Sequence, residues 1–169
     1  CVPAECSCVN GVLDASQCTE HNGESCSSCL VGYELDGNKC NECEEGYYKD
    51  VNGTSTCQQC SCPAGNTMAC DSESGSTCFA CAAGYYQPNV VTSALDTCLP
   101  CPEGTYQHGT GATECLPIPD DDSVVSISLV ASTGFKCSTG YTGAPMYDSN
   151  DVYLGTGCAQ CPGDEVPHS

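Results

Sequence analysis

Cysteine spacing constrains the fold of this chain more than any other feature. Twenty of the 169 residues are cysteine. From Cys6 to Cys57, successive cysteines lie 2, 10, 8, 3, 11, 3 and 14 residues apart; from Cys60 to Cys115 the steps are 2, 8, 8, 3, 17, 3 and 14. Five of the seven steps agree and both segments open with Cys-Ser-Cys, so the pattern indicates a tandem duplication of an eight-cysteine unit.

The cysteine spacing predicts five segments along the chain. They are the end of a preceding repeat (1–5), repeat 1 (6–59), repeat 2 (60–119), an acidic linker with a strand (120–136) and a partial third repeat (137–169). The third repeat opens with Cys137-Ser-Thr-Gly-Tyr and closes with Cys158-Ala-Gln-Cys161.

Composition leaves little material for an apolar interior. Val, Ile, Leu and Phe account for 24 of the 169 residues, and the net charge is −19. Such a chain would be disordered without cross-links, because it buries too little apolar area to offset chain entropy. A disulfide that closes a loop of 10 to 20 residues contributes roughly 2 to 3 kcal/mol. We therefore predict a small disulfide-rich fold, an elongated tandem array of short β-hairpin modules with little regular secondary structure and no large hydrophobic core.

The Cys-x-x-Cys pairs admit three interpretations. Spacing alone would allow a four-thiolate zinc site at Cys26, Cys29, Cys40 and Cys43, but the neighbouring candidate sites overlap and would share ligands. A redox Cys-x-x-Cys normally opens a helix, and no helical periodicity is present here. Structural disulfides in an oxidising compartment are the interpretation that we favour, with no metal and no cofactor.

The simplest pairing joins the second cysteine of each pair to the first cysteine of the next. Within the four leading cysteines of each unit, we expect first-to-third and second-to-fourth bonds, although eight cysteines allow 105 pairings. The predicted bonds are Cys29–Cys40, Cys43–Cys57, Cys81–Cys98, Cys101–Cys115, Cys137–Cys158, Cys6–Cys18, Cys8–Cys26, Cys60–Cys70 and Cys62–Cys78. Cys1 and Cys161 remain without partners, so we expect an interior portion of a longer array.

Glycine recurs three residues after seven of the cysteines, which predicts turns that need positive φ or close backbone approach. Tyrosine follows at Tyr33, Tyr47, Tyr85 and Tyr141, with Thr105-Tyr106 in another copy, and we expect these rings to cover disulfides. Segments 34–38 and 51–54 carry Asp-Gly or Asn-Gly, which predicts a hairpin tip in each.

Two segments depart from the repeat. Val124 to Val130 alternates apolar and polar residues, which predicts a strand that either pairs within the chain or adds to a neighbouring one. The loop from Gln87 to Thr97 accounts for the step of 17 where the first unit has 11. An exposed apolar patch there would favour a ligand-binding role, and a purely polar tip would count against it.

Cys81-Ala-Ala-Gly-Tyr-Tyr through Cys98-Leu-Pro-Cys101-Pro-Glu-Gly-Thr-Tyr resembles cysteine-rich repeats of the growth-factor-receptor (furin-like) and ephrin-receptor-like type. The residue pattern of this segment is most similar to that of the surface immobilisation antigens of ciliates. It is more distantly similar to the variant surface proteins of Giardia. The resemblance covers residues 6 to about 115 and part of 137–161. It implies an extracellular coat protein, often lipid-anchored, but no hydrophobic C-terminal tail is present.

Few residues are candidates for a catalytic, calcium-binding or glycosylation site. His21, His108 and His168 stand without a nucleophile or an orienting carboxylate nearby in sequence, so we expect no catalytic residue. Asp120 to Asp122 and the group Asp148, Asn150 and Asp151 could hold calcium, but they lack a defined ligand spacing and are more typical of solvated charge. Asn52-Gly53-Thr54 is the single N-glycosylation sequon.

Charge and cysteine content together define the expected function. With 3 basic and 22 acidic residues, the chain offers no surface for phosphate backbones, which excludes nucleic acid as a partner. No segment is apolar enough to span a membrane, so any membrane attachment requires an anchor outside this chain. We predict a non-enzymatic extracellular, cell-surface glycoprotein: a disulfide-stapled rod in a coat or filament, with copies of itself or neighbouring surface proteins as partners. The alternatives are a receptor-like ligand-binding ectodomain and a cysteine-rich appendage of a larger surface enzyme.

Overall fold

A computed structural model describes residues 4–162 of the chain. The fold consists of short strands and one 3₁₀ helix, Ala15–Gln17, whose first turn is capped by Asp14 Oδ1 accepting from Ser16 N at 3.0 Å. The strands are β1 Cys6–Ser7, β2 Gly11–Leu13, β3 Gly23–Glu24, β4 Cys26–Cys29, β5 Tyr33–Asp36, β6 Lys39–Glu42, β7 Tyr47–Tyr48, β8 Gln58–Gln59, β9 Asn66–Asp71, β10 Gly75–Ala80, β11 Tyr85–Tyr86, β12 Leu99–Pro100, β13 Thr105–Tyr106, β14 Leu116–Pro117, β15 Val124–Ser126, β16 Phe135–Cys137, β17 Tyr141–Gly143 and β18 Cys158–Gln160.

Every sheet among the described residues has two strands. β1 pairs with β3 in parallel and β2 pairs with β4, so the first two sheets interleave along the chain. From β5 onward, the strands pair two by two in sequence order, β5 with β6, β7 with β8 and so on to β17 with β18. This succession of small hairpin pairs, without a closed sheet or barrel, confirms the predicted disulfide-rich hairpin fold. Among residues 4–162, no helix is long and apolar enough to cross a membrane.

The chain divides into two compact units. Unit 1 comprises Cys1–Cys62, Met68–Cys78 and Val91–Asp96; unit 2 comprises Pro63–Thr67, Phe79–Val90 and Thr97–Ser169. The division passes through the β9–β10 hairpin, so the units are discontinuous in sequence. The five segments drawn from the cysteine spacing describe the repeat in sequence, and they stay a prediction as domain boundaries.

One backbone pattern recurs within both units. In six of the hairpins among residues 4–162, the residue that follows the second strand donates its N–H to the carbonyl oxygen of the glycine that precedes the first strand. Examples are Cys43 to Gly32 O and Cys60 to Gly46 O in unit 1, each at 2.8 Å. In unit 2, Cys81, Cys101 and Cys161 make the same 2.8 Å bond to Gly65, Gly84 and Gly140. In these five hairpins a cysteine N–H closes the base of the hairpin, and in the β13–β14 hairpin the Ile118 N–H takes the same role with Gly104 O at 3.0 Å.

The recurring glycines meet the predicted requirement in two ways. Gly84 has a φ of +82°, and a Cβ there would overlap the carbonyl of Ala131, so both conformation and close approach require glycine. Gly11 lies outside the set with positive φ, but an added Cβ would overlap Ser28 O and lie 2.6 Å from Cys40 Sγ. Close backbone packing against two disulfides excludes a side chain at this position.

The expected burial of the tyrosines holds for Tyr106, and Tyr33 and Tyr141 are half-buried, but the prediction is wrong by one position at Tyr47 and Tyr85. Tyr47 and Tyr85, which directly follow the glycine, are exposed, whereas Tyr106, at the next position of its copy, is 2% exposed. Since side chains alternate across a strand, only one residue of each Tyr-Tyr or Thr-Tyr pair can face inward. The inward-facing position is the second one, which places Tyr48 against the buried cluster of unit 1.

Each unit has its own small core. In unit 1 it consists of Cys60, Cys62, Met68 and Val91, with Tyr48 and Cys70 packed against it. In unit 2 the core is aromatic, with Tyr106, Val124 and Phe135 buried and Leu116, Ile118, Tyr147, Tyr153 and Cys158 packed around them. Cores of this size fit the prediction that no large hydrophobic interior exists.

Candidate functional site

Disulfides are the dominant chemical feature of residues 4–162. Nine are present, and their Cα atoms lie 5.1 to 5.9 Å apart. The structure brings together each of the nine pairs that the spacing rule joins, including the interleaved bonds Cys6–Cys18 with Cys8–Cys26 and Cys60–Cys70 with Cys62–Cys78. In the first repeat the interleaving follows the strand order, because β1 pairs with β3 and β2 with β4.

Two cysteines, Cys1 and Cys161, lie outside the pairing scheme. Cys161 has no bonded partner among residues 4–162. Its N–H donates to Gly140 O, in the same way that Cys43, Cys81 and Cys101 donate to the glycines of their hairpins. Cys1 lies outside the described residues.

Three sulfur atoms converge in unit 1. The Sγ atoms of Cys8, Cys26 and Cys40 lie within 4.8 Å of one another. All three belong to disulfides, Cys8–Cys26 and Cys29–Cys40, which pack side by side against Gly11. Cysteine binds a metal through its thiolate, and a disulfide sulfur is not a thiolate. The cluster therefore represents packing of two cross-links, and the cysteines considered for zinc, Cys26, Cys29, Cys40 and Cys43, are all in disulfides.

The histidines occupy separate surroundings. His21 Nδ1 accepts from Glu5 N at 3.3 Å. The His108 ring stacks on Tyr147, with 3.8 Å between ring centroids and a 5° interplanar angle, and its Nδ1 lies 3.1 Å from Thr133 O. His168 lies outside the described residues. The contacts of His21 and His108 are structural ones.

The two acidic groups considered for calcium are used in local hydrogen bonds. Asp121 Oδ1 accepts from the Ser123 N–H and hydroxyl, and these bonds hold the pKa of Asp121 below its usual value. Asp148 Oδ1 accepts from Asn150 N at 2.8 Å and from Val152 N at 3.0 Å. Turn formation accounts for these aspartates, and among the described residues they do not assemble into a set of three or more converging ligands.

The sequon lies on an exposed segment of unit 1, but it is not a free hairpin tip. Gly53 forms an antiparallel bridge with Cys29, and Asn52 Oδ1 accepts from Val31 N at 3.0 Å. Asn52 and Thr54 are exposed. The amide oxygen of Asn52 is thus held while its nitrogen, the atom that carries an N-linked sugar, makes no hydrogen bond within residues 4–162.

Lys49 is a buried, hydrogen-bonded lysine that the sequence analysis did not identify. Lys49 is 2% exposed, and its Nζ donates to the carbonyl oxygens of Tyr33 and Gly53 at 2.8 Å and of Cys29 at 3.4 Å. Burial lowers the pKa of Lys49, and the nearby Glu34 carboxylate opposes that shift. The ammonium stabilises the turn that carries the sequon.

A sequence signal for this position did exist. The residue after each Tyr-Tyr or Thr-Tyr pair is Lys49, Gln87 or Gln107, always a long side chain with an N–H donor. Gln87 Nε2 donates to Thr97 O at 3.0 Å and Gln107 Nε2 donates to Glu114 O at 3.3 Å. Each repeat thus uses this position to hold its own following loop.

The strand predicted over Val124 to Val130 is shorter than expected. β15 ends at Ser126 and pairs with β16 of the same chain, which is the outcome that counts against assembly by strand addition. Ile127, Leu129 and Val130 follow in an exposed turn. Serine hydroxyls hold this turn, since Ser126 Oγ contacts Ser132 Oγ at 2.8 Å and Ser128 Oγ donates to Val130 O at 3.0 Å.

The longer loop of the second repeat carries exposed apolar side chains, the feature expected of a ligand-binding role. Leu95 in unit 1 is 88% exposed. A recess of about 380 Å³ adjoins it, lined by Glu45, Gly46, Cys70, Thr92, Ser93, Ala94 and Leu95, all of unit 1. This recess and its loop form the candidate binding site.

Parts of the chain are similar to cysteine-rich segments of known proteins. Residues 90–127 match a family model described as tyrosine-protein kinase ephrin type A/B receptor-like. A segment of 136 residues, 79% of the chain, is 36% identical to the sushi, von Willebrand factor type A, EGF and pentraxin domain-containing protein 1 of Rattus norvegicus and 35% identical to that of Mus musculus. The chain spans about 3% of the length of these curated relatives.

The disulfide framework and these similarities together define the class. The chain is a cysteine-rich repeat domain of the extracellular type, similar to a segment of a sushi- and EGF-containing protein. The matched model agrees with the ephrin-receptor-like part of the resemblance drawn from residues 81–106. The similarity to ciliate and Giardia surface proteins stays a prediction.

Proposed function

We propose that this chain is a non-enzymatic structural segment of a cell-surface protein, a disulfide-stapled scaffold that contributes to a coat or surface filament. The observation that carries the proposal is the density of cross-links, with nine disulfides within 159 described residues and a core in unit 1 that is largely sulfur. Each bond restricts the unfolded chain, so stability comes from covalent closure of short loops.

The acidic surface supports the same role. A net charge of −19 keeps neighbouring copies soluble and apart at close spacing. The exposed sequon in unit 1 adds a site for a sugar, and the turn that carries it is held by Lys49. Non-enzymatic action is supported by the engagement of the cysteines in disulfides and of His21 and His108 in structural contacts.

Surface labelling tests the proposal directly. Antibodies raised against the folded chain should label intact, non-permeabilised cells of the source organism in a continuous layer or in filaments. Treatment of those cells with a membrane-impermeant phosphine should abolish the labelled layer together with its resistance to protease. Labelling that appears only after permeabilisation, or scattered labelling that survives reduction unchanged, would contradict the scaffold role.

Peptide mapping and mass measurement test the chemistry on which the scaffold depends. Under non-reducing conditions we expect Cys29 to be found with Cys40 and Cys43 with Cys57. The peptide that contains Asn52 should carry a glycan mass that the Asn52→Gln variant lacks. A Cys29 peptide joined to another partner would overturn the bonding scheme.

A further inference from the structure

The loop from Val91 to Asp96 in unit 1, named here the Leu95 loop, is held in one conformation by its own hydrogen bonds. Val91 is fully buried and exchanges two 2.9 Å backbone bonds with Cys62. Asp96 Oδ2 accepts from Thr92 N at 3.3 Å and from Ser93 N at 3.2 Å. The loop is therefore ordered before any partner arrives, which lowers the entropy lost on binding.

The fixed loop presents an apolar side chain to solvent. Leu95 is the most exposed large hydrophobic residue among those described, and its N–H donates to Ser93 Oγ at 3.2 Å. Removing a leucine side chain from water is favourable, and folding leaves that gain unused here. Because the loop between Cys81 and Cys98 is six residues longer than its counterpart, the exposure arises from added sequence and not from the repeat itself.

The recess beside Leu95 combines apolar walls with one carboxylate. Ala94, Leu95 and Cys70 line its apolar side, and Glu45 is the charged residue of its lining. A long side chain with methylene groups and a terminal cation fits this arrangement, because the stem can lie along apolar surface while the head reaches the carboxylate.

We propose that this recess binds a lysine or arginine side chain of a separate protein partner, with the stem against Leu95 and Ala94 and the cation at Glu45. Charge complementarity favours such a partner over a second copy of the chain, whose net charge of −19 opposes self-association. The chain also has few cations to offer. Lys49 is buried and Lys39 pairs with Glu24 at 3.4 Å, which leaves Lys136 as the one exposed lysine outside an ion pair among residues 4–162. The inference concerns one surface of unit 1 and does not depend on the scaffold role.

A displayed peptide library tests the proposal without knowledge of the natural partner. Random dodecapeptides on phage are selected against the full chain and counter-selected against the Leu95→Ser variant. We expect enriched peptides to share a Lys or Arg. Synthetic copies should bind Leu95→Ser about tenfold more weakly and Glu45→Gln several-fold more weakly than the parent. Binding through Glu45 should also weaken as salt rises from 50 to 500 mM, since salt screens exposed charge.

Matched control variants distinguish binding at the recess from nonspecific binding elsewhere on the surface. Leu154→Ser removes another exposed leucine and Glu114→Gln another exposed carboxylate, both in unit 2, and each should leave peptide binding unchanged. Failure to enrich any peptide over Leu95→Ser, or enrichment of peptides without a cation, would overturn the proposal. Dimerisation in sedimentation velocity, or binding to phosphatidylcholine vesicles, that is lost in Leu95→Ser would assign the surface to a second copy or to lipid and would equally overturn it.

Discussion

The two units reach a buried core by different means. In unit 1 the buried cluster contains Cys60, Cys62, Met68 and Val91, so sulfur atoms provide most of its interior. In unit 2 rings provide it, with centroids of Tyr106 and Phe135 at 4.6 Å and of Phe135 and Tyr153 at 5.1 Å. The cysteine-free stretch of the chain falls in unit 2, between Cys115 and Cys137. Where cross-links are sparse, aromatic packing replaces them.

The aromatic cluster is also tied together by its polar atoms. Tyr106 Oη accepts from Tyr153 N at 2.9 Å, Tyr147 Oη accepts from Phe135 N at 2.9 Å, and Tyr153 donates to Asp121 at 3.1 Å. Burial raises the pKa values of all three tyrosines. The rings therefore serve as both core and hydrogen-bonding partners, a combination that disulfides cannot supply.

The largest effect should come from removing the sulfur core. Replacing Cys60, Cys70, Cys62 and Cys78 with serine removes two cross-links, each contributing roughly 2 to 3 kcal/mol. A loss of that size is comparable to the whole stability of a small domain. Hydrogen exchange should show the Val91 amide unprotected, while the aromatic cluster of unit 2 remains protected.

The matched control is Cys137→Ser with Cys158→Ser, which removes a single cross-link from unit 2. Because the rings remain, unit 2 should stay folded with reduced stability. If unit 2 unfolded while unit 1 survived its double loss, the comparison between sulfur and aromatic cores would be wrong.

Phe135→Ala should be the most damaging single substitution in unit 2. Phe135 is 4% exposed, and truncation of a buried phenylalanine costs about 3 to 5 kcal/mol through lost burial and the cavity left behind. Near-ultraviolet circular dichroism during urea unfolding would report the loss. Phe79→Ala supplies the control, since Phe79 is 55% exposed and its truncation should have little effect.

Lys49→Met should cost less, about 1 to 3 kcal/mol, because it leaves buried carbonyl oxygens without their donor. Lys49→Gln introduces the residue found at positions 87 and 107 of the other copies and should recover part of the loss. Urea midpoints of the two variants give the order. Equal midpoints would show that the charge of Lys49, and not its hydrogen bonding, stabilises the turn.

The smallest expected effect is a pH dependence in unit 2. Hydrogen bonds from Ser123, together with the Tyr153 hydroxyl, lower the pKa of Asp121 in the folded chain. A depressed carboxyl pKa stabilises the fold above the unfolded value near 3.9, and the contribution is lost as pH falls through the folded pKa. Asp121→Asn should therefore lose less stability than the parent between about pH 5 and pH 2.

A thermal unfolding series across that pH range measures the effect. Asp122→Asn, at an exposed neighbouring residue, should follow the parent. If Asp121→Asn follows it as well, the bonds from Ser123 and Tyr153 do not contribute to folding.

Covalent pairing and the repeat could be predicted from sequence because both depend on spacing. Loop lengths of 11 to 17 residues between Cys29 and Cys40 or Cys81 and Cys98 allow a hairpin to close, and the glycine three residues after each cysteine marks its turn. The inward ring position was not accessible in the same way. Two adjacent tyrosines look alike in sequence, and only the direction of the strand decides that Tyr48 faces the core.

The sequence by itself determined that this chain is a disulfide-rich array of hairpins, because so few apolar residues cannot stabilise a chain of this length without cross-links. Tertiary structure alone decided where Lys49, Asp121 and Leu95 act. Their roles depend on carbonyls, rings and walls contributed by segments that are distant in sequence, as in the bond between Asp121 and Tyr153, which are 32 residues apart. Spacing along a chain fixes local closure, whereas burial and charge at a site arise only when distant segments meet.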